Sequence, residues 1–315
     1  MPEHNLIVSP HPHVHSGRTL KHLMRDTIVA LLPALAFGVY LFGLDALRVV
    51  LLAVASALAW ETAIALCTQK PLTIRDGTAV VSSLLLALLL PATTPWWMIC
   101  VGTLLLIVLG KEVFGGYGSA PFNGVLIAWI VLHMSYPDFL FDWGLTGSDP
   151  AIMAAPIEVF KQQGPAQVKE IYTVSHLLLG PTVGSIGQGS VLMLLIGGLY
   201  LIVRRVIDWR IPVSFLAGVF LCAGGMWIIS PGAHAGPLFH LLAGGSIIAA
   251  FFVATDMPSS PVTKEGMIMF GLAAGLLTVI IRVFGAWTFG ALYAVLIMSM
   301  ATPFLDKLAP QVYGR

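Results

Sequence analysis

Ten apolar runs constrain this chain more than any other feature. They cover roughly residues 27–44, 46–67, 77–91, 96–110, 121–136, 190–204, 211–230, 236–255, 266–285 and 287–304. Most approach the ~20 residues that a helix needs to cross the hydrocarbon core of a bilayer; the third and sixth are shorter. Only 10% of the 315 residues are charged and 57% are hydrophobic, whereas soluble domains are about a quarter charged. The expected fold is an all-α polytopic membrane protein with about ten transmembrane helices.

Lys and Arg set the orientation. With the N-terminus in the cytoplasm, the inner segments hold Arg18, Lys21, Arg25, Lys70, Arg75, Lys111, Arg204, Arg205, Arg210, Lys264, Lys307 and Arg315. The outer segments receive Arg48, Lys161, Lys169 and Arg282. Twelve basic residues against four is a positive-inside bias, and an even number of spans returns the C-terminus to the cytoplasm. The expected organisation is a cytoplasmic N-terminal segment (1–26), a first five-helix half (27–136), a long periplasmic loop (137–189), a second five-helix half (190–304) and a cytoplasmic tail (305–315). An odd number of spans per half makes any repeat an inverted one.

Several function classes fall away. A net charge of +1 offers no basic surface for nucleic acid. Cys67, Cys100 and Cys222 make no CxxC pair and read as small buried hydrophobes. The first 26 residues are polar and the next run lacks a small-residue cleavage site, so this is a retained first span and not a signal peptide. No nucleophile elbow, P-loop, dinucleotide fingerprint or zinc motif stands out.

Three polar stretches interrupt the apolar pattern on the cytoplasmic side: TIRDGTAVVSS (73–83), GKEVFGGYGSAPFNG (110–124) and ATDMPSSPVTKEG (254–266). Irregular backbone near membrane depth is tolerated where it is buried in protein or lines a cavity. Gly115, Gly116 and Gly118 let backbone approach closely. Lys111, Phe122, Asn123, Thr255, Asp256, Ser259, Ser260 and Thr263 could contact a planar polar ligand or an ion. Turn chemistry alone explains any one stretch; several on one face favour a site. Glu61, about two turns inside the second span, is an ion-path candidate by default or the partner of a nearby Arg or a backbone amide. His133 and His240 read as packed residues, and HPHVH (11–15) as a solvated tail or docking strap.

The motifs SPHPHVHSG, DGTAVVSSLLLALLLP, KEVFGGYGSAPFNG, GSIGQGS, GGLYLIVRRVIDWRIP and FFVATDMPSSPVT, in that order from about residue 7 to 310, resemble the D subunit of the Rnf electron-transport complex. They are more distantly similar to the B subunit of the sodium-pumping NADH:quinone reductase. The resemblance implies a flavin-carrying subunit of the bacterial inner membrane. It would sit in a hetero-oligomeric complex that couples electron transfer between ferredoxin and NAD to Na+ or H+ translocation. The NAD and iron–sulfur sites would belong to partner subunits, so this chain needs no complete active site of its own.

The resemblance implies two flavins, an FMN joined to a Thr on the outer side and a non-covalent riboflavin or FMN in the membrane part. For the second, the related loop uses a pattern like N-x-x-N-P. Asn123 matches its second Asn, while Ala120 and Gly124 replace the first Asn and the Pro. The attachment motif reads approximately D-x-x-[ST]-G-A-T. Its best match is DWGLTGSDP, in which Thr146 fits, Ser148 replaces Ala and Asp149 stands at the acceptor Thr. Phosphoester attachment requires a hydroxyl, so covalent FMN is expected to be absent. Two other readings remain: a solute or ion transporter, and a structural subunit that has lost its covalent flavin.

Overall fold

In the computed structural model, residues 19–70, 73–143, 155–180 and 182–308 are described, and among them every regular element is helical. Four helices are long and apolar enough to cross a membrane: α1 (Leu20–Phe42), α2 (Leu44–Thr68), α10 (Arg210–Ile229) and α13 (Lys264–Phe284). Five of the six remaining predicted runs become shorter helices: α3 (Thr78–Leu89), α4 (Trp96–Ile107), α5 (Gly124–Ser135), α9 (Val191–Val203) and α14 (Gly290–Leu305). Twelve residues, the length of α3, α4 and α5, rise only about 18 Å. A crossing built on any of them would need irregular backbone to complete it.

Local chemistry explains where the helices stop. Leu90 is extended because it precedes Pro91, and a residue before proline is pushed out of the helical region. α4 starts directly after Pro95. It then widens into a π-helical turn over Val108–Glu112 before the glycine-rich loop. α5 and α13 open on side-chain caps, with Asn123 accepting from Val125 N at 2.9 Å and Thr263 accepting from Gly266 N at 3.2 Å, which satisfies otherwise orphaned amides.

The run at 236–255, expected as one span, is broken. It forms α11 (Pro237–Leu242), turns through Gly244 and Gly245 at positive φ, and resumes as α12 (Ser246–Ile248) and a second π-helical turn, Ala249–Val253. Glycine reaches this left-handed backbone without the Cβ clash that other residues meet.

Between residues 137 and 189, helices α6 (Pro137–Leu140), α7 (Pro156–Ile171) and α8 (Val174–Leu179) form. The end of this connection does not stay outside the body. Ile186, fully buried, donates its N–H to Leu90 O at 3.0 Å, and so fills the cleft beyond α3. Small residues let long helices touch: a Cβ on Gly275 of α13 would lie 2.2 Å from Phe215 O of α10. This is the small-residue contact by which membrane helices pack.

Candidate functional site

The end of the bundle at which α1 begins, here the proximal end, gathers all three polar stretches. A cavity of about 40 Å³ is lined by Thr78 and Ser82 from the first stretch, Lys111, Tyr117, Phe122 and Asn123 from the second, and Asp256 from the third. A second, also of about 40 Å³, shares Val81, Leu85, Tyr117 and Asp256 with it and adds Thr255 and Phe252. A surface vestibule of about 610 Å³ lies over both, lined by Tyr117, Gly118, Pro258, Ser260, Thr302 and Asp306 among others.

Beside the first cavity lies a buried charge cluster. Lys111 Nζ, on the π-helical turn, donates to Glu61 Oε1 at 2.6 Å, Thr78 Oγ1 at 2.9 Å and Thr73 Oγ1 at 3.0 Å. Asp76 Oδ2 is 3.7 Å away. Thr73 also donates to Glu61 Oε1, leaving Glu61 Oε2 buried and without a partner among the described residues. The expected structural partner of Glu61 was a nearby Arg or a backbone amide; the structure supplies Lys111 instead, and the unpartnered oxygen leaves room for a further ligand. A π-helical turn widens the helix by one residue and is common at functional positions; here it brings Lys111 to Glu61, fifty residues earlier in the chain.

The other predicted residues are distributed as follows. Asn123 is occupied at both ends, as the α5 cap and as a donor to Val253 O at 3.2 Å. It ties the loop before α5 to the second π-helical turn. Asp256 accepts from Ser259 Oγ at 3.1 Å and from Tyr117 Oη at 3.4 Å. Burial pushes the Asp256 carboxyl up to about 6, although the hydrogen bonds from Ser259 and Tyr117 pull the other way. The Tyr117 phenol is raised as well, by burial first and then by the Asp256 charge. Thr255 Oγ1 turns back to Phe251 O at 2.6 Å. Thr263 caps α13 and lines none of the three cavities, whereas Ser260 faces the vestibule.

Gly115, Gly116 and Gly118 have φ of +90°, +123° and +107°, and a Cβ on any of them would meet nothing within 4 Å. They supply backbone conformation and not a close cradle. The close approach lies at Gly110 and Gly124, where a Cβ on either would come within 2.6 Å of the other's Cα. Thr146, Ser148 and Asp149 lie outside the described residues, as does HPHVH. Sequence reasoning missed Tyr117 and Thr73. The signal for Tyr117 was an aromatic residue set among three loop glycines.

The expected non-covalent flavin can be tested against this geometry. Ligand sites usually measure roughly 300–1,000 Å³, while a cavity of 40 Å³ holds only a few waters. Lys111 and Asn123 spend their donors inside the protein. An isoalloxazine ring therefore does not fit either small cavity; of the three described, the vestibule alone has ligand dimensions.

At the opposite, distal end, α7, α8 and α11 share a small core of Ile157, Phe160, Leu177 and Phe239. Arg282 of α13, fully buried, donates to His240 O and Gly244 O, each at 2.7 Å. His240 and His133 are buried among aromatic rings, as expected of packed residues; His133 stacks on Trp129 with centroids 4.7 Å apart.

Fold and site together define a polytopic helical membrane protein with a polar cluster on interrupted helices at one end. The sequence model of the NQR2, RnfD, RnfE family matches residues 7–314, and the chain belongs to that family. It is 38% identical to the D subunit of the Na(+)-translocating ferredoxin:NAD(+) oxidoreductase complex of Acetobacterium woodii, over 100% of this chain and 97% of the relative. It is 36% identical to the D subunit of the proton-translocating ferredoxin:NAD(+) oxidoreductase complex of Clostridium ljungdahlii, over 97% and 95%. Against the D subunit of the ion-translocating oxidoreductase complex of Yersinia pseudotuberculosis it is 33% identical, over 98% of each chain.

Proposed function

We propose that this chain is the membrane-embedded D subunit of an Rnf-type complex, which couples electron transfer between ferredoxin and NAD to movement of Na+ or H+ across the bacterial inner membrane. The observation that supports this is similarity at full length: relatives named as the D subunit of such complexes align over 97% or more of the chain. Partner subunits supply the NAD and iron–sulfur sites. The proximal end faces the cytoplasm, in keeping with its share of the basic residues.

In this reading the two sets of five helices form an inverted repeat. Two features support it. α3 and α12 each start after a glycine at positive φ, Gly77 and Gly245. Each start is pinned by a cation from the end of a neighbouring helix, Lys111 on Thr78 and Arg282 on Gly244 O. Discontinuous helices of this kind are where membrane transport proteins place their ion and substrate sites.

Glu61, with its free Oε2, is the ion-path residue in this reading, and Lys111 the group that balances its charge. The cofactor is a non-covalent riboflavin or FMN at the proximal end. No electron-transfer step is assigned to it, since the two small cavities are too small for its ring. Covalent FMN is absent, because Asp149 replaces the acceptor hydroxyl.

Denaturing electrophoresis of the purified complex under ultraviolet light, with the intact mass of this chain, tests the cofactor reading. The expected result is a dark band at the plain mass, with flavin released on denaturation. A fluorescent band heavier by one FMN refutes the Asp149 argument. A complex without flavin attributable to this chain leaves a structural subunit. Glu61→Gln should lower the number of ions moved per electron in proteoliposomes of the complex; an unchanged ratio removes Glu61 from the path.

A further inference from the structure

Among the described residues, Tyr117 is the one aromatic side chain that lines the vestibule and both inner cavities. Its hydroxyl donates to Asp256 Oδ1 at the long distance of 3.4 Å. Its neighbours are Gly115, Gly116 and Gly118, all at positive φ, with open space where their side chains would be. The loop is anchored at its two ends. Lys111 is held by Glu61, Thr73 and Thr78, and Asn123 by Val125 N and Val253 O. A segment fixed at both ends, with Val113 and Phe114 exposed between them and glycines around one large, partly buried side chain, is built to move that side chain.

We propose that Tyr117 is the gate of the proximal site. Its ring, latched to Asp256, divides the vestibule from the two inner cavities, and its withdrawal joins all three into one chamber that admits a flat, amphipathic ring. The identity of that ring as flavin rests on the proposed function; the gate itself does not. It explains how polar residues from three stretches line a cavity that, when closed, is too small for a ligand.

The test is the accessibility of Val81, 6% exposed and common to both inner cavities. Val81→Cys is introduced into the complex after Cys67, Cys100 and Cys222, the free cysteines, have been replaced. The rate of labelling by a small maleimide is then followed. Tyr117→Phe keeps the ring and loses only the latch, and should speed labelling by about three- to tenfold, the range of a single hydrogen bond. Tyr117→Ala should exceed that by removing the barrier itself. Equal rates in the parent and both variants overturn the gate, whether labelling is fast or absent. Tyr117→Phe decides the matter if Tyr117→Ala fails to assemble. Flavin released from the same preparations is scored separately. Gated labelling in a flavin-free complex refutes the cofactor reading and keeps the gate; ungated labelling in a flavin-loaded complex does the reverse.

Discussion

Lys111→Met should destabilise the fold by about 3–5 kcal/mol, the usual cost of removing one partner from a buried ion pair. The side chains of Lys111 and Glu61 are 7% and 1% exposed, and their charged atoms are 2.6 Å apart. At an effective dielectric constant near 20 this separation gives an attraction of about 6 kcal/mol. Desolvating each ion costs several kcal/mol, so the intact pair gains little on balance. The variant changes that balance. Glu61 would keep its desolvation cost, lose the ammonium, and retain only Thr73 as a donor, with Oε2 already unpartnered. At roughly 2–4 °C per kcal/mol for a chain of a few hundred residues, melting of the solubilised protein should fall by about 6–20 °C. The double variant Glu61→Gln, Lys111→Met removes both charges and should recover most of the loss, a coupling that a double-mutant cycle isolates. A Lys111→Met protein that melts within about 2 °C of the parent, or a double variant no better than the single one, would refute the account.

Other substitutions test other contacts. Gly110→Ala places a Cβ 2.6 Å from Gly124 Cα and should cost about 1–3 kcal/mol by overpacking, whereas Gly224→Ala, with nothing within 4 Å, should be neutral or slightly stabilising in the same melting assay. Asn123→Ala removes the α5 cap and the tie to Val253 O; a loss of about 1–2 kcal/mol is expected, with faster amide exchange in the first turn of α5. Asp256 titrates near 6 in the folded protein against an ordinary 3.8. The folded state therefore binds more protons than the unfolded one between those values, and stability should fall as pH rises through that window and level off above it. Asp256→Asn should flatten this slope, which melting at about pH 4.5 and about pH 7.5, on either side of the folded value, would register.

The order of the apolar helical segments was legible in the chain because hydrocarbon imposes a one-dimensional rule. Backbone groups there must be paired within a helix, so a run of apolar residues announces itself without reference to its neighbours. All ten predicted runs correspond to helical segments. Asn123 was equally readable as a polar residue after a glycine-rich turn and Thr263 as one after a Pro- and Ser-rich turn, though their part as helix caps required the backbone beside them. The break in the eighth run had a local signal in Gly244 and Gly245, but GPLFHLLAGGSIIAAFFVATD is apolar enough to pass for a continuous span.

What the tertiary structure alone decided is which polar groups meet. Lys111 reads in the sequence as a loop cation and Glu61 as an isolated carboxylate. They become one buried pair because the end of α4 widens by a π-helical turn beside α2. Tyr117 and Asp256 lie 139 residues apart, and no periodicity records that the two loops face one another. Hydrophobic pattern reports how a segment meets its solvent; pairing, cavity size and gating depend on the angle and depth at which segments pack, which are properties of the assembled bundle.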